Sequence, residues 1–329
     1  MIENFIAEVG SFCEVLFFKA WLLFNSPAST FYWPTLLSAL LIAILIPLRR
    51  REKMRGDGRS FNLALCELRR YITNSSFRAD IFFAVFGVFG FFSLFGWAIV
   101  AGDIYSSAVR GLLDSLFGHR SRPDLSLYVQ LAIATIASFC AYELGYWLDH
   151  YLKHRIQFLW SFHRVHHSAE VLSPLTIYRM HPVDMVLFSN IISIFVGATS
   201  GVLDYFRMGA ELGLDGKNFI LIVFAFLTVH LQHSHVWLPT TGLLGRIVLS
   251  PAHHQIHHSL DPAHHNKNYG SCLAIWDWIF GTLLVPTKEV QRFSFGVLPA
   301  AKAAHTFKGE VIDPFLKSWE TVIRKKKAG

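Results

Sequence analysis

The chain has 329 residues, 53% of them hydrophobic and only 16% charged, with thirty phenylalanines and a formal net charge of +7. That balance excludes an ordinary soluble domain and identifies an integral membrane protein. The positive charge needs no nucleic acid, because anionic lipid headgroups and an asymmetric distribution across a membrane account for it.

In chain order, the amino terminus lacks a basic region followed by a small-residue cleavage site, so no removable signal is expected. Residues Phe5 to Phe24 are expected to form an amphipathic or partly inserted helix. Apolar runs long enough to cross a hydrocarbon core of about 30 Å follow at Phe31 to Leu48, Ile81 to Ala101, Leu125 to Trp147, Val183 to Leu203 and Phe219 to Trp237. The last two are shorter or more polar and can dip into one leaflet. Between the first two runs lie Arg49, Arg50, Arg51, Lys53, Arg55, Arg59, Arg69, Arg70 and Arg78. Basic residues near span ends are retained on the cytoplasmic side, so this connection is expected to be cytoplasmic. Counting spans onward places Asp149 to Pro182, everything after Leu238 and the basic end Arg324 to Lys327 on the same face. The connection Gly102 to Pro123 then falls outside, an imperfect fit given Arg110, Arg120 and Arg122. Cys13, Cys66, Cys140 and Cys272 are scattered without a C-x-x-C pair and are read as free thiols.

The histidines carry the chemistry. All but His119 and His305 of the seventeen lie between His150 and His265. They fall into His150 and His154, then His163, His166 and His167, then His254, His257 and His258. The spacings are H-x-x-x-H once and H-x-x-H-H twice. On a helix, residues three or four apart share a face, so each cluster converges on one point, the geometry of a metal site. Imidazole suits iron, zinc, copper or nickel, and the absence of cysteine pairs argues against a thiolate-held structural zinc. Eight or more imidazoles exceed what one ion coordinates, so two ions are expected. His119 and His305 read instead as interfacial or hydrogen-bonding groups. A divalent-metal transporter is the alternative, although transporters tend to place ligands near the midplane of their spans rather than at span ends.

Four stretches carry a resemblance. These are Trp147-Leu-Asp-His-Tyr-Leu-Lys-His154, Trp160-Ser-Phe-His-Arg-Val-His-His-Ser168, Arg179-Met-His-Pro182 and Ser250-Pro-Ala-His-His-Gln-Ile-His-His-Ser259. Asn268-Tyr-Gly270 and Trp276-Asp-Trp-Ile-Phe-Gly-Thr282 follow them. In order and spacing, from Leu125 to Pro286, they resemble the fatty acid hydroxylase and sterol desaturase superfamily of membrane di-iron oxygenases. The resemblance implies an all-α integral membrane bundle of about four to five spans, with a cytoplasmic histidine-rich helical cap holding a di-metal site. It divides the chain into an N-terminal membrane-associated region (1–124), a catalytic domain (125–286) and a basic cytoplasmic tail (287–329).

Position by position, the resemblance implies that His150, His154, His163, His166, His167, His254, His257 and His258 are iron ligands. A further ligand precedes the last box and is supplied most naturally by His233. His181, His230, His235 and Asp149 stand as further candidates, as ligands or as groups that orient them. Asp184, Asp261 and Asp277 are carboxylates that could do the same. Asn266 departs from the pattern, since relatives commonly carry an acid two positions before the asparagine of Asn-Tyr-Gly. The implied activity is hydroxylation or desaturation of a lipid with O2, the two iron ions being the only cofactors. Electrons must come from a separate ferredoxin, cytochrome or reductase, because no dinucleotide-binding Gly-x-Gly-x-x-Gly follows a strand and no His-Pro-Gly-Gly haem motif is present. The expected compartment is a bacterial inner membrane, or the endoplasmic reticulum if the source is eukaryotic.

Overall fold

A computed structural model of the protein describes residues 14–15, 17–52, 73–297 and 305–328. Lys53, Arg55, Arg59, Arg69 and Arg70, on which the expected orientation partly rests, lie outside the described residues, as do Cys13, Cys66 and most of the first half of the expected Phe5 to Phe24 helix. Residues 17–25 are helical. Helix α1 (Trp33–Glu52) follows, its sequence largely apolar as far as Leu48 and basic from Arg49.

Among the described residues, three stretches are long and apolar enough to cross a membrane: Ser75–Phe117, Leu127–Arg155 and Pro182–Tyr205. The first is composite. Helix α2 (Ser75–Val85) runs through a π-turn at Phe86–Gly90 into α3 (Phe91–Phe95), and after a break at residues 99–101 continues as α4 (Gly102–Phe117). The second is α5 (Leu127–Arg155) and the third α7 (Pro182–Tyr205). Each starts at a side chain that satisfies free N–H groups of the first turn. Asn74 accepts from the Ser76 amide at 2.8 Å, Ser126 from Val129 at 3.4 Å, and His181 from Val183 at 3.1 Å, with Pro182 occupying a position whose N–H is not needed.

The contacts between these helices give their directions. Helix α5 runs antiparallel to α7, with Lys153 beside Asp184, Gly145 beside Phe195 and the Thr135 hydroxyl accepting the Leu212 amide. The stretch from Gly87 to Arg120 runs parallel to α7, from Met185 through Asn190, which accepts the Val100 amide, to Tyr205. Sequence reading makes Gly102 to Pro123 a connection on the outer side of the membrane; most of it is the helix α4, laid along α7. The reason is small residues: a Cβ on Gly197 would meet the Gly102 carbonyl at 2.3 Å, and one on Gly201 the Ser106 carbonyl at 2.5 Å. Backbone is thus in contact with backbone, a mode of packing suited to helices without a hydrophobic drive between them.

After α7 a two-residue hairpin (β1 Gly213–Leu214, β2 Lys217–Asn218) turns the chain back. The last expected span is shorter than sequence suggests. It comprises α8 (Phe219–Phe224), a π-turn at Ala225–Val229 and α9 (His230–Gln232), and runs beside α5 toward the histidines. Between α5 and α7 lies α6 (Gln157–His167); α10 (Leu244–Ile247), α11 (Pro251–His257) and α12 (Ile275–Ile279) follow, and a π-turn at Lys308–Ile312 leads into α13 (Asp313–Ala328), which packs on α6.

One fully buried cation joins these parts. The Arg179 guanidinium donates to the Val165 carbonyl, the Ser168 hydroxyl, the Ser76 carbonyl and hydroxyl, Asp80 at 3.0 Å and Glu310. It therefore ties the start of α2, the end of α6 and the C-terminal segment to one point. His305 sits on the same group through its Nδ1, and His119, expected like it to be a bystander, is exposed and pairs with Asp114. Replacing Arg179 with Met strands two buried carboxylates, so about 3–5 kcal/mol of stability should be lost. Thermal unfolding in detergent checks this, with Gly111→Ala, where an added methyl meets nothing within 4 Å, as a near-neutral control.

Candidate metal centre

The histidine-bearing elements meet where α5 ends and α7 begins. Two compact groups result. His150, His154, His163, His167 and His257 form one, and His166, His233, His254 and His258 the other; within each, the candidate ligand atoms lie within 4.8 Å of one another. The groups touch, with the His167 and His258 rings 4.5 Å apart. All are buried except His154, which is half-buried.

The local sequence explains the convergence. On α6 the H-x-x-H-H spacing sends His163 and His167 to one group and His166 to the other, because neighbouring positions diverge by about 100° around a helix. On α11 the same spacing sends His257 to the first group and His254 and His258 to the second. The adjacent His253 points away and closes the helix start, its Nδ1 facing the Ser250 amide and hydroxyl and its Nε2 the Gly245 carbonyl. His233 follows the π-turn of Ala225–Val229, a distortion that recurs at functional sites.

Facing ring nitrogens are close. The Nε2 atoms of His257 and His167 are 3.2 Å apart, those of His233 and His166 3.3 Å, His254 and His233 2.9 Å, and His258 and His254 3.1 Å. Two nitrogens each bound about 2.1 Å from one ion would stand about 3.0–3.4 Å apart, so the spacing fits shared coordination. The Nε2 atoms of His150, His154 and His163 are buried without a hydrogen-bond partner among the described residues. The donor set of nine imidazoles thus fits two ions.

Backbone and carboxylate groups fix the rings from behind. His150 Nδ1 lies 2.9 Å from the Tyr269 carbonyl, His257 Nδ1 2.7 Å from the Lys267 carbonyl and His163 Nδ1 3.1 Å from Asp184. Each acceptor holds the proton on Nδ1 and leaves the Nε2 lone pair free. Burial pushes the imidazole pKa values down, to about 3 for His233 and His257, with neighbouring histidines acting in the same direction. The rings are neutral, the form that binds metal.

The further candidates fall outside both groups. His181 uses both nitrogens, one capping α7 and the other on the Val311 carbonyl at 3.0 Å. His230 Nε2 lies 3.0 Å from the Thr35 hydroxyl, an interhelical contact, and His235 is exposed. Asp149 pairs with Lys153 at 2.6 Å, and Lys153 also reaches Asp184, so a buried Asp149–Lys153–Asp184 array stands behind His163. Asp261 caps a 3₁₀ turn.

Asp277 acts through a loop. It accepts the amides of Tyr269 and Gly270, the Trp147 indole and the Thr282 hydroxyl at 2.5 Å, and so fixes the carbonyl that holds His150. Asn268, at φ +58°, bridges the His253 and Leu284 carbonyls, and asparagine tolerates that left-handed backbone well. Asn266 accepts the Tyr269 hydroxyl at 3.1 Å. Glu143, which sequence reasoning missed, is fully buried and accepts the Cys272 and Leu273 amides. Its signal was a lone acid inside an apolar run, where ionisable groups tend to be functional.

The centre lies between two cavities. One, of about 590 Å³, is largely aromatic and apolar, reached by His150, His166 and His233 and lined by Tyr142, Tyr146 and Phe188 among others. The other, of about 470 Å³, is polar and reached by His154, His167, His257 and His258, with Trp160 and Arg164 on its wall.

Residues 135–282 match the family model described as fatty acid hydroxylase. That segment is similar to fatty acid hydroxylase domains. Among relatives, an ornithine lipid hydroxylase of Rhizobium tropici is 31% identical over 197 residues, covering 60% of this chain and 55% of that protein. An alkylglycerol monooxygenase of Danio rerio is 29% identical over 161 residues, 46% of this chain and 31% of the relative. A putative Delta(7)-sterol-C5(6)-desaturase 2 of Arabidopsis thaliana is 26% identical over 157 residues, 45% and 47% respectively. The matched part spans about half the length of these relatives or less. No solved structure matches. The matched segment, residues 135–282, thus contains both histidine groups and the loop that orients them.

In this segment the Asp184→Asn change should weaken metal retention by about 10–100-fold by freeing the His163 ring, measured by competition with a chelator. His233→Ala should lose metal from the second group, while His230→Ala should retain wild-type metal content by elemental analysis.

Proposed function

We propose that the protein is a membrane di-iron oxidoreductase that hydroxylates or desaturates a lipid with O2. The observation that carries this reading is the placement of nine converging imidazoles at the closed end of an apolar cavity among membrane helices. His150, His154, His163, His167 and His257 would hold one iron, and His166, His233, His254 and His258 the other. The pair of ions, when bound, supplies oxidation of an unactivated C–H bond with dioxygen. Zinc or another metal fits the nitrogen set equally by geometry. Iron is favoured because the relatives named above are a hydroxylase, a monooxygenase and a putative desaturase.

The chain's own residues do the remainder. The aromatic wall of the larger cavity excludes water and orients a hydrocarbon toward His150, His166 and His233, which gives proximity without new bonds. Tyr269, Lys267 and Asp184 hold the Nδ1 protons of His150, His257 and His163. Their rings then neither rotate nor titrate as charge changes at the centre. The polar cavity gives solvent and a separate electron donor an approach from the opposite side. Trp160 lies there, its ring 4.9 Å from His154 and 5.3 Å from His167. Arg164 and, on α13, Lys317 lie near Trp160, and by these basic groups we assign this face to the cytoplasm.

Purified protein should contain about two iron ions per chain, since nine imidazoles exceed one coordination sphere. Lipids from cells expressing it under ¹⁸O₂ should carry the label or a new double bond. One metal ion or fewer in correctly folded protein, together with lipid profiles unchanged from an empty-vector strain, would sink the proposal.

A further inference from the structure

Among the described residues, the apolar cavity is lined by one cation outside the buried ion array behind His163. Its walls are two helices side by side. Helix α5 presents Tyr142, Tyr146 and His150 at four-residue intervals, and the segment from α8 to His233 presents Leu221, Ala225, Val229 and His233 at the same interval. From Leu221 to His233 the wall is about 18 Å long by helical rise. Four residues before Leu221, on β2, Lys217 lines the same cavity.

Lys217 is unusual in what it lacks. Its side chain is largely buried, and desolvation lowers its pKa below the ordinary lysine value, with the nearby Cys272 thiol acting the other way. Among the described residues it makes no ion pair and its ammonium has no hydrogen-bond acceptor. The acids of the same hairpin are engaged elsewhere: Glu211 accepts from Asn218, and Asp215 from Ser26. The buried Lys153, by contrast, has two carboxylates. A desolvated ammonium without a counterion is costly, and the natural remedy is an anion that arrives with the ligand.

We propose that Lys217 binds the anionic end of the lipid substrate, a carboxylate or a phosphomonoester, whose hydrocarbon chain lies along Tyr142 and Tyr146 with its reactive carbon at the histidines. This rests on the larger cavity being the lipid site. It adds the substrate class, an amphiphile whose charged group and oxidised carbon are separated by roughly the length of that wall. Lys217 is a specificity residue and touches none of the reacting atoms. Strongly hydrated ammonium suits either anion as a point charge, so the two must be separated by experiment.

The test uses full-length protein in an uncharged detergent and three single-chain probes of equal length: palmitic acid, a lysophosphatidic acid and hexadecanol. Binding is read by native mass spectrometry and by displacement of a photo-crosslinking alkyl probe mapped to cavity residues. Wild-type protein should favour at least one anionic probe over hexadecanol by about tenfold or more, as a charge-assisted contact provides. Lys217→Met should erase that preference while leaving hexadecanol binding, metal content and melting temperature unchanged, and Lys217→Arg should retain most of it. Which acid is preferred tells carboxylate from phosphate. Equal binding of acid and alcohol by wild-type protein, or a preference that survives Lys217→Met, overturns the assignment of Lys217 and leaves the cavity reading intact. Failure of all three probes to label or displace at the cavity overturns the lipid-site reading, and the role of Lys217 with it.

Discussion

Nine neutral imidazoles buried against one another are the constraint on which the rest of the structure depends. Their ring nitrogens face each other at close to 3 Å, where lone pairs repel and protonation is opposed by both desolvation and neighbouring rings. Such an array does not assemble for its own stability. Tyr269, Lys267 and Asp184 hold three of the rings in place, and a cation at the centre of each group would turn the repulsion into attraction. Binding free energy for metal is therefore also free energy of order for the cap, as in any site whose ligands are scattered in the unfolded chain.

The holding groups come in three layers of distance from the rings. Nearest are the Tyr269 and Lys267 carbonyls and Asp184. Behind them stand Asp277, which fixes the Tyr269 loop, and Lys153, which neutralises Asp184 and Asp149 together. Farthest is Arg179, which touches no ring of either group yet joins the start of α2, the end of α6 and the C-terminal segment. The pattern has a physical logic: carbonyls are best close to the metal groups because they bring no charge, whereas paired ions are tolerated only where their partners are complete.

Much of the site is legible in the sequence because helix periodicity is a strong constraint. Three boxes at spacings of three and four residues admit little choice about which rings share a face, and the nine histidines named from the boxes and from His233 are the nine that cluster. Local pattern could not decide among His230, His233 and His235, which are two or three residues apart. The π-turn at Ala225–Val229 sets which of them faces the centre, and nothing in the residues announces it. The same limit applies to Ser75–Phe117. Hydropathy shows an apolar run ending near Ala101, but only the approach of Gly102 and Ser106 to Gly197 and Gly201 reveals that the chain continues along α7. What Arg179 binds has no local signature, because Asp80 and Glu310 lie far away in the sequence.

The arrangement of the two cavities separates requirements that conflict. Oxidising a C–H bond needs a dry, apolar approach, since water competes with substrate, while electrons and protons come from an aqueous phase. Here the two approaches do not share a wall. His150, His166 and His233 face the apolar side, and His154, His167, His257 and His258 the polar side, so each histidine group contributes to both. In the proposed di-iron reading a pair of ions would be the shortest link between the two environments, and because each would draw ligands from both cavities, a change felt on one side would be felt on the other. The split follows from the H-x-x-H-H spacing itself, whose adjacent histidines diverge by about 100° around the helix and so send His166 and His167 to opposite groups and opposite cavities. The box is in this sense a device for building a divider as well as a ligand set.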